Sequence, residues 1–228
     1  MFNSSIMIVL LQLWAIKAPF NTGLNGASPK LLFCVYFCLT SAAACPGAAE
    51  DGSGQTMNAS VLLLPFLLIR FGLFAYISRD AMGRAAHFSP MAGKEAIAYY
   101  FYQAATLGIF LCPFFLRIIA RGLIFFAGIA LCGLGAALLL WTILCFSHPD
   151  QAGLNAKGIY RLSRNPMYVA YFLYFLGMAL QTRSPLFLCL VLAFQVAAHW
   201  IILAEERECL ERFGDAYRQY MKRTRRYF

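Results

Sequence analysis

Residues 122–146 read GLIFFAGIALCGLGAALLLWTILCF, 25 residues without one charged side chain. A helix of that length rises about 1.5 Å per residue and is long enough to cross the roughly 30 Å hydrocarbon core of a bilayer. Comparable apolar windows occupy residues 59–77, 96–116 and 185–204, with a shorter one at 167–180. In lipid every backbone N–H and C=O has to be satisfied within the segment, and no alternating strand pattern recurs here, so helices are expected rather than a barrel. The expectation is an all-α, polytopic membrane protein with about five transmembrane helices. The composition agrees: 61% of the residues are hydrophobic, 13% are charged and the mean hydropathy is +0.65, outside the usual range of a soluble domain.

Three regions are expected: a leader (1–56), a set of N-terminal transmembrane helices (57–150) and a C-terminal part (151–228) holding a loop, a helical hairpin and a tail. The leader has a weakly apolar run, then LLFCVYFCLTSAAAC after Lys30, then a polar stretch ending near Met57. Three readings fit it: an over-extended start with Met57 as the natural first residue, an extra helix at 31–44, or a cleaved signal.

A net charge of +9 raises the question of nucleic acid, but its distribution points to a membrane surface. The segment AYRQYMKRTRRYF (216–228) carries Arg218, Lys222, Arg223, Arg225 and Arg226 and no acid. With five single crossings this tail falls on the same side as Arg79, Arg84 and Lys94 and as Lys157, Arg161 and Arg164, leaving Arg117, Arg121 and Arg183 opposite. The positive-inside rule then places the C-terminus, a basic helix, in the cytoplasm, with a bacterial inner membrane as the expected setting. No nucleic-acid partner is expected.

Eight cysteines (34, 38, 45, 112, 132, 145, 189, 209) form no CxxC pair, and His87, His148 and His199 are scattered. The cysteines read as small core hydrophobes, the histidines lack metal-ligand spacing, and no metal is expected. Nucleophile and phosphate-loop motifs are missing as well. The Gly133-Leu134-Gly135 element lies inside an apolar run, where it serves either close helix packing or the close approach of a bound cofactor.

The informative polar residues lie in the last third. In SRNPMY (163–168) Asn165 is a good N-cap and Pro166 suits the first helical position, so the free N–H groups of the helix that follows make an anion site with Arg164 beside it. A plain helix start with a snorkelling arginine is the simpler alternative. Glu205 and Glu206 close the last apolar run, where unpaired carboxylates are costly. Arg164, Arg207 or a cationic ligand would satisfy them. Because residues 181–184 alone join the last two helices, these form an antiparallel hairpin that returns Arg164 and Asn165 beside Glu205 and Glu206. A helix start that attracts a carboxylate then neighbours a helix end that attracts a cation, and an amino-acid moiety fits both.

These residues carry a resemblance. GIYRLSRNPMY (158–168), the hairpin, and EERECLERFGDAYRQYMKRTRRYF (205–228) are similar to the isoprenylcysteine carboxyl methyltransferase and phospholipid methyltransferase family of membrane enzymes, over roughly residues 154–228. The resemblance implies S-adenosylmethionine as cofactor, and methyl transfer to a membrane-embedded amphipathic acceptor, an isoprenylcysteine-like carboxylate or a phospholipid amine. Carried over by position, it places cofactor contacts on Ala152, Gly153, Leu154, Asn155, Tyr160, Asn165, Pro166, Met167, Tyr168 and Glu205. Arg164 joins them from the anion site above, and Glu206, Gly133 and Gly135 by analogy with the phospholipid branch. Gly214 would end the helix and let the tail, with Tyr217 and Tyr220, fold back as a lid.

The chain departs from the prenylcysteine pattern at two positions. Asn165 stands where His is usual, and Ile201 stands where an arginine would hold the acceptor carboxylate. An amine acceptor must first lose a proton, for which Tyr168, Glu206 and His199 are candidates. Arg70, midway along the first apolar run, either touches substrate or reaches the interface. Two further classes stay open: a nicotinamide-dependent membrane reductase of the sterol reductase type, and a non-catalytic membrane protein.

Overall fold

The computed structural model describes residues 57–78, 81, 85, 94–148 and 153–227. The leader with its three readings, Ala152, His87, and the loop residues Arg79 and Arg84 lie outside the described residues. Helices α1 (Ala59–Ile77), α2 (Lys94–Leu111), α3 (Gly122–Phe146), α4 (Pro166–Thr182), α5 (Pro185–Phe213) and α6 (Asp215–Arg223) follow one another along the chain. Among the described residues four segments are long and apolar enough to cross a membrane: Ala59–Ile77, Glu95–Phe115, Gly122–Phe146 and Pro185–Phe213. The second span matches its apolar window, its last turn being 3-10 (Cys112–Phe115), whereas α5 outruns its window of 185–204 by carrying on through a charged end to Phe213.

The fifth span is α4, whose 17 residues rise only about 26 Å. It is the central helix. Eleven of its residues are buried, among them Tyr174, Phe175 and Met178. By contrast α3 turns Leu123 and Phe126, 84% and 65% exposed, toward what is lipid in a membrane.

The α3–α4 contact is made by small residues. Gly128, Cys132 and Gly135 lie at i, i+4 and i+7 on one face of α3, against Gly177, Tyr174 and Ala170 of α4. A Cβ on Gly135 would sit 2.6 Å from the Tyr174 backbone nitrogen, and one on Gly177 2.6 Å from the Gly128 carbonyl oxygen. Without side chains the backbones approach closely, which is how helices gain dispersion energy in a solvent as apolar as themselves.

The two ends of the bundle are tied differently. At one end Asn58 starts α1, accepting from the Ser60 N–H at 2.9 Å and donating its amide to the Phe114 carbonyl at 3.0 Å. There Ala59 and Ile118 complete an antiparallel pairing with the segment after α2, and Arg183, in the left-handed conformation at φ 47°, closes α4 and reaches the Arg121 carbonyl. The two-residue link Arg183-Ser184 ends in a cap for α5, Ser184 accepting from the Phe187 N–H, which makes α4 and α5 the antiparallel hairpin expected from the sequence. SRNPMY and the two glutamates therefore meet at the opposite end. There Arg207 pairs with Glu95 at 2.7 Å, tying α5 to the start of α2.

Candidate functional site

At that end the helices enclose a cavity of about 380 Å³, within the range of small-molecule sites. One wall comes from the loop and helix start that precede the hairpin: Gly153, Leu154, Asn155 and Tyr160, then Arg164 through Tyr168. The facing wall is the end of α5, with Glu205, Glu206 and Cys209. The sequence-derived candidates Gly153, Leu154, Asn155, Tyr160, Arg164, Asn165, Pro166, Met167, Tyr168, Glu205 and Glu206 thus border one space.

Gly133, Gly135 and His199 do not. Gly135 is pressed against α4, and a Cβ on Gly133 would meet no atom within 4 Å. The cofactor reading of this element is replaced by its packing alternative, in which Gly135 takes part and Gly133 does not. His199 shares a 2.7 Å hydrogen bond between its Nδ1 and the Tyr227 hydroxyl and has no place on the cavity wall, so it is not positioned as a base.

Glu206 is the hub of the site. Its side chain is 5% exposed and accepts from Arg164 Nε at 3.1 Å, Asn165 Nδ2 at 3.2 Å, and Arg226 Nε and Nη2 at 3.1 and 3.0 Å. A carboxylate so fully subscribed has no lone pair free for a substrate proton, which removes Glu206 from the candidate bases and gives it a structural task. Two guanidiniums around one carboxylate leave a surplus positive charge. The first turn of α4, the positive end of its dipole, borders the same corner.

The expectation that Asn165 caps α4 through its side chain is corrected. It stands at the N-cap position but makes no side-chain cap bond. Its amide instead donates to Glu206 and to the Arg226 carbonyl, and Ser163 Oγ accepts from the Asn165 N–H. Glu205 is separate from this network: it accepts from the Tyr168 hydroxyl at 2.8 Å. One wall therefore ends in a cationic surplus and the other in a carboxylate.

The tail closes this end. Gly214, at φ 54°, breaks the helical path after α5 in a conformation that suits glycine. Helix α6 then brings Tyr217 and Tyr220 onto the cavity wall. Past α6, Arg164 donates its backbone N–H to the Arg225 carbonyl at 2.9 Å in a short parallel bridge between Ser163 and Arg225, and the Arg164 guanidinium reaches the Met221 carbonyl. Tyr220 donates to the Tyr160 carbonyl at 2.6 Å. Burial pushes the phenols of Tyr160, Tyr217 and Tyr220 well up from their ordinary value, so each is a neutral donor at physiological pH. Tyr220→Phe is expected to cost about 1 kcal/mol at the tail, read as a roughly fivefold faster tryptic cleavage at Arg218, Lys222 and Arg223. An unchanged rate would show that this bond does not hold the tail.

Several wall residues were not singled out by spacing: Phe66 of α1, Tyr102, Gln103 and Thr106 of α2, Tyr171 of α4 and Phe194 of α5. Gln103 and Thr106, polar and three apart in an apolar helix, carry the one available signal. Among the described residues no three His, Cys, Asp or Glu side chains converge as metal ligands would.

Residues 122–216 match the model of a family described as phospholipid methyltransferase. The match runs from the start of α3 into α6, across both cavity walls just described. Neither a curated protein nor a solved structure matches the chain at a significant level.

Proposed function

We propose that this chain is an integral membrane methyltransferase, as the match of its residues 122–216 to the phospholipid methyltransferase family model supports, and that it takes S-adenosylmethionine into the cavity between α4 and α5 and methylates an amphipathic acceptor that enters from the bilayer. The observation that carries the reading is the pairing of opposite poles on facing walls: a surplus cation from Arg164, Arg226 and Glu206 beside the α4 start, and the Glu205 carboxylate held by Tyr168. An α-amino acid needs both poles. A third feature fits the nucleoside half: the Asn155 side-chain oxygen is buried without a hydrogen-bond partner and borders the cavity, an arrangement that is costly unless a ligand donates to it.

In this reading Arg164 and the first turn of α4 receive the carboxylate of the methionine moiety and Glu205 its ammonium group. Leu154, Asn155 and Tyr160 face the nucleoside, while Gly153 leaves room for the chain to turn. When bound, the cofactor supplies an electrophilic methyl carbon on a sulfonium, which an acceptor lone pair attacks in line while the carbon–sulfur bonding pair remains on sulfur. What the protein adds is position and dryness. Tyr217 and Tyr220, anchored by the tail, cover the site from the aqueous side, and the aromatic side chains of α1, α2 and α5 line its membrane side. The basic tail and the loop that carries Lys157, Arg161 and Arg164 support a cytoplasmic orientation for this end.

A carboxylate acceptor needs no base. For an amine, Tyr168 is the candidate that remains at the wall, since Glu206 is fully occupied, Glu205 holds the ammonium group of the cofactor and His199 lies elsewhere. Either acceptor class, a phospholipid amine or an isoprenylcysteine-like carboxylate, suits a cavity with one polar and one aromatic end.

Titration of the detergent-purified protein with S-adenosylhomocysteine tests the cofactor. Glu205→Ala and Asn165→Ala are each expected to weaken binding at least tenfold. A folded wild type that binds neither S-adenosylhomocysteine nor S-adenosylmethionine would sink the proposal, and preference for a reduced nicotinamide would transfer it to the reductase class.

A further inference from the structure

The cavity has a second polar pole, deeper among the aromatic side chains, that the cofactor contacts leave unused. Arg70 lies in the middle of α1, where the helix widens into a π-helical segment (Leu68–Leu73). Such segments are rare and concentrate at functional positions. Its guanidinium is flanked by the rings of Phe71 and Phe74, at 5.5 and 5.2 Å from their centroids. Nη2 makes one long bond, 3.4 Å, to the Ala85 carbonyl. Nη1 is buried and has no hydrogen-bond partner. Among the described residues no carboxylate lies within ion-pair reach of Arg70.

Tyr171 is 8% exposed, and its hydroxyl lies beside the Arg70 guanidinium without a hydrogen bond of good geometry to any group. It follows Tyr168 by three residues, so it occupies the same face of α4 about 4.5 Å further along the axis. Tyr102 and Tyr171 each lie within electrostatic range of Arg70 and of Glu205, and all four border the cavity. Beyond them the wall is apolar: Phe66, Phe110, Phe175 and Phe194. A charge held at membrane depth is expensive unless something answers it. Even where Arg70 donates to the Tyr171 oxygen, the phenolic O–H and further guanidinium N–H groups still need an acceptor, and the charge makes that acceptor an anion. Ile201 supplies no alternative cation, because it is wholly buried in the apolar core.

We propose that Arg70 and Tyr171 form an oxyanion subsite that holds the phosphodiester or carboxylate of the methyl acceptor about one helical turn inside the membrane from Glu205, with the acceptor's hydrocarbon chain running along the aromatic wall. The proposal rests on the methyltransferase reading for the identity of the ligand as acceptor, but the subsite itself is defined by a guanidinium and a phenol side by side on the cavity wall, with donor capacity that no described group takes up. It makes Arg70 a specificity residue for anionic amphiphiles, with no part in holding the cofactor.

The test uses the full chain in detergent and two matched probe pairs, measured by calorimetry: dioctanoyl phosphatidylethanolamine against dioctanoylglycerol, and N-acetyl-S-farnesylcysteine against its methyl ester. In each pair only the first carries the oxyanion, and the two pairs separate a lipid phosphate from a carboxylate source. At least one anionic probe is expected to bind the wild type tenfold or more tightly than its neutral partner. Arg70→Gln is expected to erase that preference, Arg70→Lys to restore part of it, and Tyr171→Phe to reduce it about threefold, while S-adenosylhomocysteine affinity stays within twofold throughout. Equal binding of anionic and neutral probes by the wild type overturns the proposal. So does an Arg70→Gln variant that weakens both members of a pair equally, since that is loss of packing. Should Arg70→Gln fail to fold, Tyr171→Phe decides, and an unchanged preference in that variant counts against the subsite. An anion preference without S-adenosylhomocysteine binding would leave the subsite standing and remove the cofactor reading.

Discussion

Glu206→Ala is expected to lower the stability of the folded protein by about 3–5 kcal/mol and to abolish methyl transfer. The carboxylate is 5% exposed and meets Arg164, itself 7% exposed, and Arg226. Removing it leaves two guanidiniums facing each other in a largely dry site, and an uncompensated buried charge is far more costly than the pair it came from is stabilising. Glu206→Gln keeps an acceptor for Arg226 and is expected to fall between wild type and alanine. The apparent Tm in detergent, followed by size-exclusion chromatography after heating, reads the loss. A cycle with Arg164→Met separates pairing from packing: when both partners are removed, the double variant should be more stable than the sum of the single losses by at least 1 kcal/mol. A Glu206→Ala protein within 1 kcal/mol of wild type would mean that the tail is held by something other than this hub. The same substitution is expected to free residues 215–227 to protease, because Arg226 and the Arg225 bridge both converge on residues that Glu206 fixes.

The convergence at Glu206 also shows how far a chain such as this can be read before its fold is known. The hairpin was legible because one short link between two apolar runs leaves little choice: Arg164 and Asn165 must return beside Glu205 and Glu206. Which atoms pair was not. Asn165 ahead of Pro166 looks like a side-chain cap, yet its amide bonds to the Arg226 carbonyl 61 residues away. Local spacing cannot show that the tail comes back. Arg207 was as good a partner for the glutamates as Arg164 on charge alone, but it sits on the outer face of α5, toward Glu95. The extent of α4 was legible from its apolar run at 167–180, but its surroundings were not. A hydropathy window records apolarity without saying whether lipid or protein supplies the contacts, and α4 is surrounded by protein. Arg70 and Tyr171 lie on different helices, and the π-helical widening that presents the first has no composition signature.

The small-residue face of α3 gives the second large effect, and it separates two glycines that look alike in sequence. Gly135→Ala is expected to destabilise the protein by about 2–3 kcal/mol, since the new methyl would lie 2.6 Å from the Tyr174 nitrogen and 2.9 Å from the Ala170 oxygen. Both are backbone atoms that cannot rotate aside, so α3 and α4 must separate. Gly133→Ala, two residues earlier, meets nothing within 4 Å and removes a glycine from a helix interior, which is expected to stabilise by up to about 1 kcal/mol. The two variants differ by the same methyl group and should move the apparent Tm in opposite directions. The α4 backbone that Gly135 touches also carries Tyr171 and Tyr174, so a forced separation shifts the cavity wall. Gly135→Ala is therefore expected to weaken S-adenosylhomocysteine binding along with stability, and Gly133→Ala to leave it unchanged. Loss of binding with no loss of stability in Gly133→Ala would instead place the cofactor against this element and reverse the assignment of the cavity.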